Sequence, residues 1–589
     1  MNTARWRMVA AATWRKVAAA TGRNVAATAP AYSLALAALV FGPLFGSGCL
    51  LLRDAVSTPR SYLTDSALGL GDAAPRAVPQ DALLAVLSPV IGGCLAVKVI
   101  LLLALWLAGW GAARMVGAVL PALGTGATLV AATVAIWNPY VAERLLQGHW
   151  SLLAGYAALP WTVVAALRVR RRAGWQAWAA LALCLTAAAL TPTGALLAAV
   201  TAAAIVGIRG LPGLLILTVL ASTPWLVAAA LSGAGAESDP AGVAAFAARA
   251  EPGLGTLAGL AGLGGIWNAD AVPGSRTSLF AVVATLVLLV VVAVGVPVLW
   301  RRRVDPVVRG LGVLTVAAVL LPALAATPPG MEFMRWAVEH VPGWGLLRDT
   351  QKWVALAMPG YALSAAAGCA WLGARFRNAV VPALVSIVAL IAVLPDLAWG
   401  VGGALRPVHY PGSWHTVAGI VERSNDDTDV AALPAGMFRI FPWSGSAPVL
   451  DPSPRILPRD VLQTGQLPVR GAVVAGEGSR ASEVEAALLA GDSPRRLAEL
   501  GVGWVLEQHT SVGPVGESHR TLAELEQVYR DDELTLYRVP GAAEDRAEHR
   551  WLAVFAHLVW AVLLAGSALL LLVEMIRRRR AGRSNTNQS

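Results

Sequence analysis

The chain has 589 residues, of which 56% are hydrophobic and only 14% charged, and its formal net charge is +10. That composition excludes an ordinary soluble globular enzyme. The basic excess lies mostly in short loops between apolar runs, so it gives no argument for a nucleic-acid partner, and the chain reads as a protein embedded in a lipid bilayer.

Taken in chain order, twelve apolar runs are predicted as membrane helices, at about 31–52, 88–111, 116–136, 151–167, 176–191, 194–209, 211–231, 278–300, 308–326, 353–373, 379–398 and 551–576. A run of about 20 such residues crosses a hydrocarbon core of roughly 30 Å as a helix. The block 176–231 is the most interrupted, by Pro192, Gly194, Arg209 and Pro212. Basic residues then recur on one side of this arrangement. Arg5, Arg7, Arg15, Lys16 and Arg23 precede the first run, and Arg114, Arg168 to Arg172, Arg301 to Arg303, Arg375, Arg377 and Arg577 to Arg580 follow later ones. Because short cytoplasmic loops carry the basic excess, both termini are predicted to be cytoplasmic in a multi-pass plasma-membrane protein. The basic N-terminal segment serves that topology better than it serves a cleavable signal, since no A-x-A-like exit follows the first long run. Cys49, Cys94, Cys184 and Cys369 fall in predicted spans or at their edges, which predicts no structural disulfide and no thiol chemistry.

With this topology the long hydrophilic segments lie outside: about 53–87, the "NPYVAERLLQGHW" segment, about 232–277, about 327–352 and about 399–550. In the last of these, "DVAALPAG", "GWVLEQHT" and "LTLYRVPG" read as short strands, and "SEVEAALLAGDSPRRLAELG" reads as helix with a Gly stop. The expected fold is therefore mainly α, a polytopic helical membrane domain over 1–398 and an extracytoplasmic α/β domain over 399–550. A last membrane helix and a basic tail follow over 551–589.

The first outer loop holds Asp54, Asp65, Asp72 and Asp81, carboxylates that suit a general base on a hydroxyl or a metal site, although Asp is also an ordinary turn residue. Lys98 stands about ten residues into an apolar run. A charge there calls for a polar partner, an Asp of the first loop or a ligand phosphate, unless it snorkels to the interface. In "WNPYVAERLLQGHW", Asn138 followed by Pro139 predicts a helix start, and the segment is expected as a short helix along the outer interface between Trp137 and Trp150. Glu143 and Gln147 share one of its faces with Tyr140 and Arg144 beside them, while Ala142, Leu145, Leu146 and His149 turn the other way. It reads either as an interfacial anchor or as the wall of a cleft.

In "GWGLLRDTQKW", Arg348 and Lys352 are four apart, with Asp349 and Gln351 alongside. Basic groups at an outer edge suit an anionic lipid head group, while pairing with Asp349 would satisfy them locally. The segments with Trp267, Asn268, Asp270 and Arg276, and with Glu332, Arg335, Trp336, Glu339 and His340, read as structural, their Trp residues as interface anchors.

The sequence "TDSALGLGDAAPRAVPQD", then "NPYVAERLLQGHWSLLAGYAALPW", then "LLRDTQKW", then an α/β segment ending "YRDDELTLYRVPG" together resemble the GT-C superfamily of polytopic membrane glycosyltransferases, in particular arabinofuranosyltransferase-like proteins of actinobacteria. The resemblance implies transfer of a sugar, arabinofuranose or mannose, from a polyprenyl-phosphate donor to a cell-envelope glycan acceptor outside the membrane. It further implies an acidic base in the first outer loop, for which Asp65 and then Asp72 match by position. This chain departs from the family's commonest form because no two acidic residues are adjacent in that loop. Arg348, Lys352 and Lys98 would hold the donor phosphate, and Glu143, Arg144, Gln147, His149, Asp349 and Gln351 would line the cleft. No cofactor is indicated apart from a divalent cation that the loop carboxylates could accept. Two other classes of function compete. A lipid or glycan transporter would need polar groups near the bilayer midplane, where this chain has little besides Lys98. A non-catalytic assembly partner is disfavoured only by the polar residues gathered at the outer face.

Overall fold

A computed structural model describes residues 27–72, 75–231, 239–424, 426–469, 472–476, 478–543 and 547–586. The basic residues before position 27, which entered the orientation argument, lie outside the described residues. Eight described helices are long and apolar enough to cross a membrane: Ala27–Phe45, Gly93–Val119, Trp150–Arg170, Ile208–Leu231, Phe280–Trp300, Pro306–Ala325, Thr350–Arg375 and Arg550–Arg578. A ninth span is possible if Val380–Ala392 and Pro395–Gly403, bent by 75° at their junction, count as one.

This is fewer than the twelve predicted spans, and the reason is length. Thr125–Ile136, Trp175–Ala188 and Pro192–Val206 are helices of 12, 14 and 15 residues, about 18 to 23 Å at 1.5 Å per residue. Composition alone does not separate a short helix packed inside protein from one that faces lipid. Thr125–Ile136 is buried along most of its length, against Gly93–Val119 and Met358–Arg375.

The elements that build the polar end of the bundle are best named in chain order. The first span, α1 (Ala27–Phe45), leads into a hairpin of β1 (Cys49–Leu52) and β2 (Ala55–Val56). Leu52 pairs with Ala55, so Arg53 and Asp54 alone form the turn, with Arg53 at φ 48°. Then come α2 (Asp65–Leu68), α3 (Gln80–Ile91), α4 (Gly93–Val119), α5 (Thr125–Ile136), α6 (Pro139–Gln147) and α7 (Trp150–Arg170). Helix α7 packs on α4 and on the Pro192–Val206 and Trp175–Ala188 helices, which makes it the axis of the apolar core.

Cys49 at the start of β1 and Cys94 in the first turn of α4 form a disulfide, with Cα atoms 4.7 Å apart. The expectation of no structural disulfide is thereby overturned. Both cysteines stand at the ends of apolar runs 45 residues apart in sequence, and the fold brings those ends together at the mouth of the bundle. Cys184 and Cys369 remain as thiols.

Residues after the bent helix form an α/β layer over this same end. A four-stranded sheet runs in the order Glu526–Arg530, Leu534–Arg538, Val502–Gln508, Asp429–Leu433, with only the last pair parallel. Helices Ser479–Ala490 and Pro494–Glu499 arise from the segment read as helix with a Gly stop, and Gly491 ends the first at φ 76°. The layer is sewn to the membrane part by backbone and charge. β3 (Pro407–Val408) pairs antiparallel with β1, and Leu450 N–H donates to the Arg53 carbonyl at 2.9 Å.

Candidate functional site

The segment "WNPYVAERLLQGHW" folds as its caps dictate. Asn138 Oδ1 accepts from the Val141 N–H at 3.1 Å and Pro139 occupies the first turn, while Gly148 closes α6 in the left-handed conformation at φ 85°. Its location differs from the expectation. Every residue of α6 is buried, and Trp137 and Trp150 are 2% and 3% exposed, so the helix is enclosed, packed on α7, the Ala269–Ala271 turn and the Ala398–Gly403 helix, instead of lying along a membrane surface. A helix this polar is tolerated inside because its side chains satisfy one another.

Arg144 is the hub. Its guanidinium, 0% exposed, makes a forked pair with Asp349, Nη1 to Oδ2 at 2.8 Å and Nη2 to Oδ1 at 3.1 Å, and Nη2 also donates to Gln351 Oε1. Gln351 Nε2 in turn donates to Glu143 at 3.0 Å, and Glu143 further accepts the N–H groups of Gly265 and Ile266 at 3.1 and 3.2 Å. On the other side Arg144 Nη1 lies 3.0 Å from His149 Nδ1, and His149 Nε2 lies 2.9 Å from Asp54 Oδ2. A guanidinium only donates, so Nδ1 must accept and the imidazole proton sits on Nε2, donated to Asp54. Burial lowers the His149 pKa against the attraction of Asp54, which keeps this neutral tautomer in place.

Asp54 is held from two further directions. Gln147 Nε2 donates to Oδ2 at 3.1 Å, and the Asp54 N–H donates to the Gln147 carbonyl at 3.1 Å. Asn268 Nδ2 orients Gln147 by donating to its Oε1 at 2.8 Å. Burial raises the Asp54 pKa, but hydrogen bonds from His149 and Gln147 and the nearby Lys352 charge outweigh it, so the carboxyl is held below its ordinary value. Both side-chain donors meet Oδ2, and the side chain retains 30% exposure. Asp349 is likewise buried, yet Arg144 and Lys352 hold it at about 2. Glu143 is pushed the other way, to about 8, by burial and by the charge of Glu251.

The close approach of the hairpin to α6 depends on Gly148. A Cβ there would lie 2.3 Å from the Ala55 nitrogen and 2.5 Å from the Leu52 oxygen, in a backbone conformation that L residues seldom adopt. Gly148→Ala is therefore expected to displace Asp54 from His149 and to lower the thermal midpoint. A variant that melts with wild type would show that the hairpin can shift without loss.

The eight residues Asp54, Glu143, Arg144, Gln147, His149, Asp349, Gln351 and Lys352 thus form one connected cluster, Lys352 through its Nζ 3.7 Å from Asp349 Oδ2. All six residues expected to line a cleft lie in it. The other predicted positions lie elsewhere. Asp65 starts α2, pairs with Arg550 at the head of the last helix and accepts the Ala547 N–H at 3.1 Å. Asp72 accepts the Ala481 N–H at 2.7 Å in the first turn of the Ser479–Ala490 helix. Arg348 donates to the Asp239 carbonyl and lies over the Phe246 ring at 5.4 Å. Lys98 donates to the Gly46 carbonyl at 2.7 Å at the end of α1, a backbone partner in place of the expected Asp. Arg276, read as structural, forms a fully buried pair with Glu251 behind Glu143. Among the described residues no group of three or more His, Cys, Asp or Glu is placed to hold a metal ion.

Three buried donors in this region have no hydrogen-bond partner among the described residues: Arg144 Nε, Thr350 Oγ1 and Trp353 Nε1. Unpartnered buried donors are costly unless something supplies acceptors.

No protein-family model matches the chain, and no curated protein matches it. Among solved structures, it is similar to the cryo-EM structure of arabinofuranosyltransferase AftD from Mycobacteria, with a TM-score of 0.54 and 18% identity over 89% of this chain and 40% of that one. A mutant of AftD gives a TM-score of 0.54 and 17% identity, over 89% of this chain and 42% of that one. The likeness is one of fold. This chain spans about two fifths of the length of the AftD structures, and at this identity the likeness concerns the fold alone.

Proposed function

We propose that this protein is a membrane glycosyltransferase that moves a sugar, arabinofuranose or mannose, from a polyprenyl-phosphate donor to a cell-envelope glycan on the outer face. The observation that carries the reading is the Asp349–Arg144–His149–Asp54 chain, which ends in a partly exposed, ionised carboxylate beside Lys352. In the proposed reaction Asp54 takes the acceptor hydroxyl proton as that oxygen bonds to the anomeric carbon. The bond from that carbon to the phosphate oxygen breaks, and the phosphate leaves with the electron pair beside Lys352.

Asp54 is assigned as base in preference to Asp65 and Asp72, whose carboxylates are engaged at the junction with the α/β layer and the last helix. Lys352 is assigned to the donor phosphate, with Arg348 as wall of the same segment and Lys98 as support for the end of α1. The site is assigned to the outer face because α7 begins one residue after His149 and ends in Arg168 and Arg170, and Thr350–Arg375 begins beside Asp349 and ends in Arg375. Both arginine ends are roughly 30 Å or more from the site along their helices, and cytoplasmic ends carry the basic excess. Both termini are then cytoplasmic, and the α/β layer covers the outer end.

The test is transfer by purified protein in detergent or nanodiscs. Labelled decaprenyl-phosphate arabinose and the mannose analogue would be offered separately with a short synthetic glycan. Formation of labelled glycan with one donor is expected. Donor that is carried across a vesicle membrane without glycan formation would favour a transporter instead.

A further inference from the structure

The segment that joins the Pro306–Ala325 span to the Arg348–Lys352 region is a helix, Pro328–His340, capped by Thr327 and buried on one side through Met334, Ala337 and Val338. That side packs on Val243, Trp344 and Leu347. The open side carries the aromatic residues Phe333 and Trp336, with the charged Glu332 and Glu339 exposed beside them. Phe333 and Trp336 are 53% and 52% exposed, Trp336 stacks on His340 at 5.3 Å, and Phe333 meets Trp344 edge-on at 6.0 Å.

The span that precedes this helix also carries an exposed apolar stripe. On the Pro306–Ala325 span Val313, Val316, Leu320 and Leu324 are exposed at spacings of three and four, a stripe along one side of the helix. Leu324 lies four residues before Pro328, and the turn between the two helices is fixed: a Cβ on Gly330 would lie 2.0 Å from the Leu324 oxygen. The aromatic helix thereby packs back against the end of the span, and at the end of a span amphipathic side chains prefer the membrane boundary.

We infer that the Pro328–His340 helix lies in the headgroup layer of the bilayer, with Phe333 and Trp336 inserted among the lipids. The occupant of its open face is the phospholipid surface itself. This inference stands on the fold and on the exposed stripe, and does not depend on the transferase reading. Its consequence is that the bilayer surface reaches the segment that carries Arg348 and Lys352, since Trp344 and Leu347 pack on the same helix.

The test is spin labelling of the full chain in vesicles of phosphatidylethanolamine and phosphatidylglycerol. Trp336→Cys and, separately, Phe333→Cys would be made with Cys184→Ala and Cys369→Ala, which leaves the disulfide intact. Power saturation would compare collision with oxygen, which enriches in lipid, and with a water-soluble nickel chelate. Labels at Leu320→Cys and Val512→Cys serve as lipid and water references, the latter position being 87% exposed in the α/β layer. Labels at 336 and 333 are expected to behave like the Leu320 reference, with oxygen collisions several-fold above nickel collisions. Behaviour like the Val512 reference would overturn the inference. Protection from both agents would overturn it as well.

Discussion

Asp54→Asn is expected to lower sugar transfer by about 10²–10⁴-fold, the range associated with loss of a positioned general base, while the protein remains folded. Asn is close in shape to Asp and still accepts from His149 Nε2 and Gln147 Nε2, so the hairpin turn keeps its contacts. What it loses is a carboxylate able to take a proton. Asp65→Asn provides the comparison, because Asp65 is engaged with Arg550 and the Ala547 N–H. That variant is expected to transfer within a few-fold of wild type and to loosen the junction with the last helix. Measured kcat values for both, with folding checked by size exclusion and thermal shift, decide the matter. A silent Asp54→Asn with an inactive Asp65→Asn would move the base to the first position predicted from sequence.

Arg144→Met is expected to destabilise the protein by about 3–5 kcal/mol, the range for breaking a buried ion pair from one side. Met approximates the volume of the Arg stem, so the effect is not chiefly a cavity. Asp349 would be left as a buried carboxylate with Lys352 alone as counter-charge, and Gln351 and His149 would each lose a donor. Arg144→Lys is expected to recover only part of the loss, since an ammonium cannot make the forked contact to both Asp349 oxygens. Loss of the guanidinium also frees the His149 ring to change tautomer, so transfer by either variant should fall further than stability does. Thermal or denaturant midpoints check the first statement. Unaltered midpoints in Arg144→Met would mean that the cluster is not a stabilising network.

Much of the helical content was legible because apolar runs in a membrane protein are long and carry few charges. The lengths of the individual helices were not, because Thr125–Ile136 and the Trp175–Ala188 and Pro192–Val206 helices have membrane composition but only 12, 14 and 15 residues. The α6 caps could be read from Asn138, Pro139 and Gly148, since capping is local chemistry. Its burial could not, since nothing local says that Arg144 meets Asp349, 205 residues away. The same limit applies to Asp54, which the sequence offers only as one of four loop carboxylates and which we propose as the base. The sequence "CLLLRDAV" contains a signal that could have been used, two apolar pairs flanking a two-residue turn, which places one carboxylate at a hairpin tip just after the first span. Position in a loop favoured Asp65 instead, and its partner Arg550 lies 485 residues further along the chain. The disulfide escaped for a related reason: Cys49 and Cys94 each look like apolar residues until the ends of their runs are brought together.

The most direct measurement is a cryo-EM structure of the Asp54→Asn protein with polyprenyl-phosphate arabinose, or the mannose analogue if that is the donor used. The account predicts the phosphate against Lys352 Nζ and the sugar between it and the side chain at position 54. Donor bound instead beside Asp65 and Arg550, with the Asp349–Arg144–His149 cluster unoccupied, would contradict it.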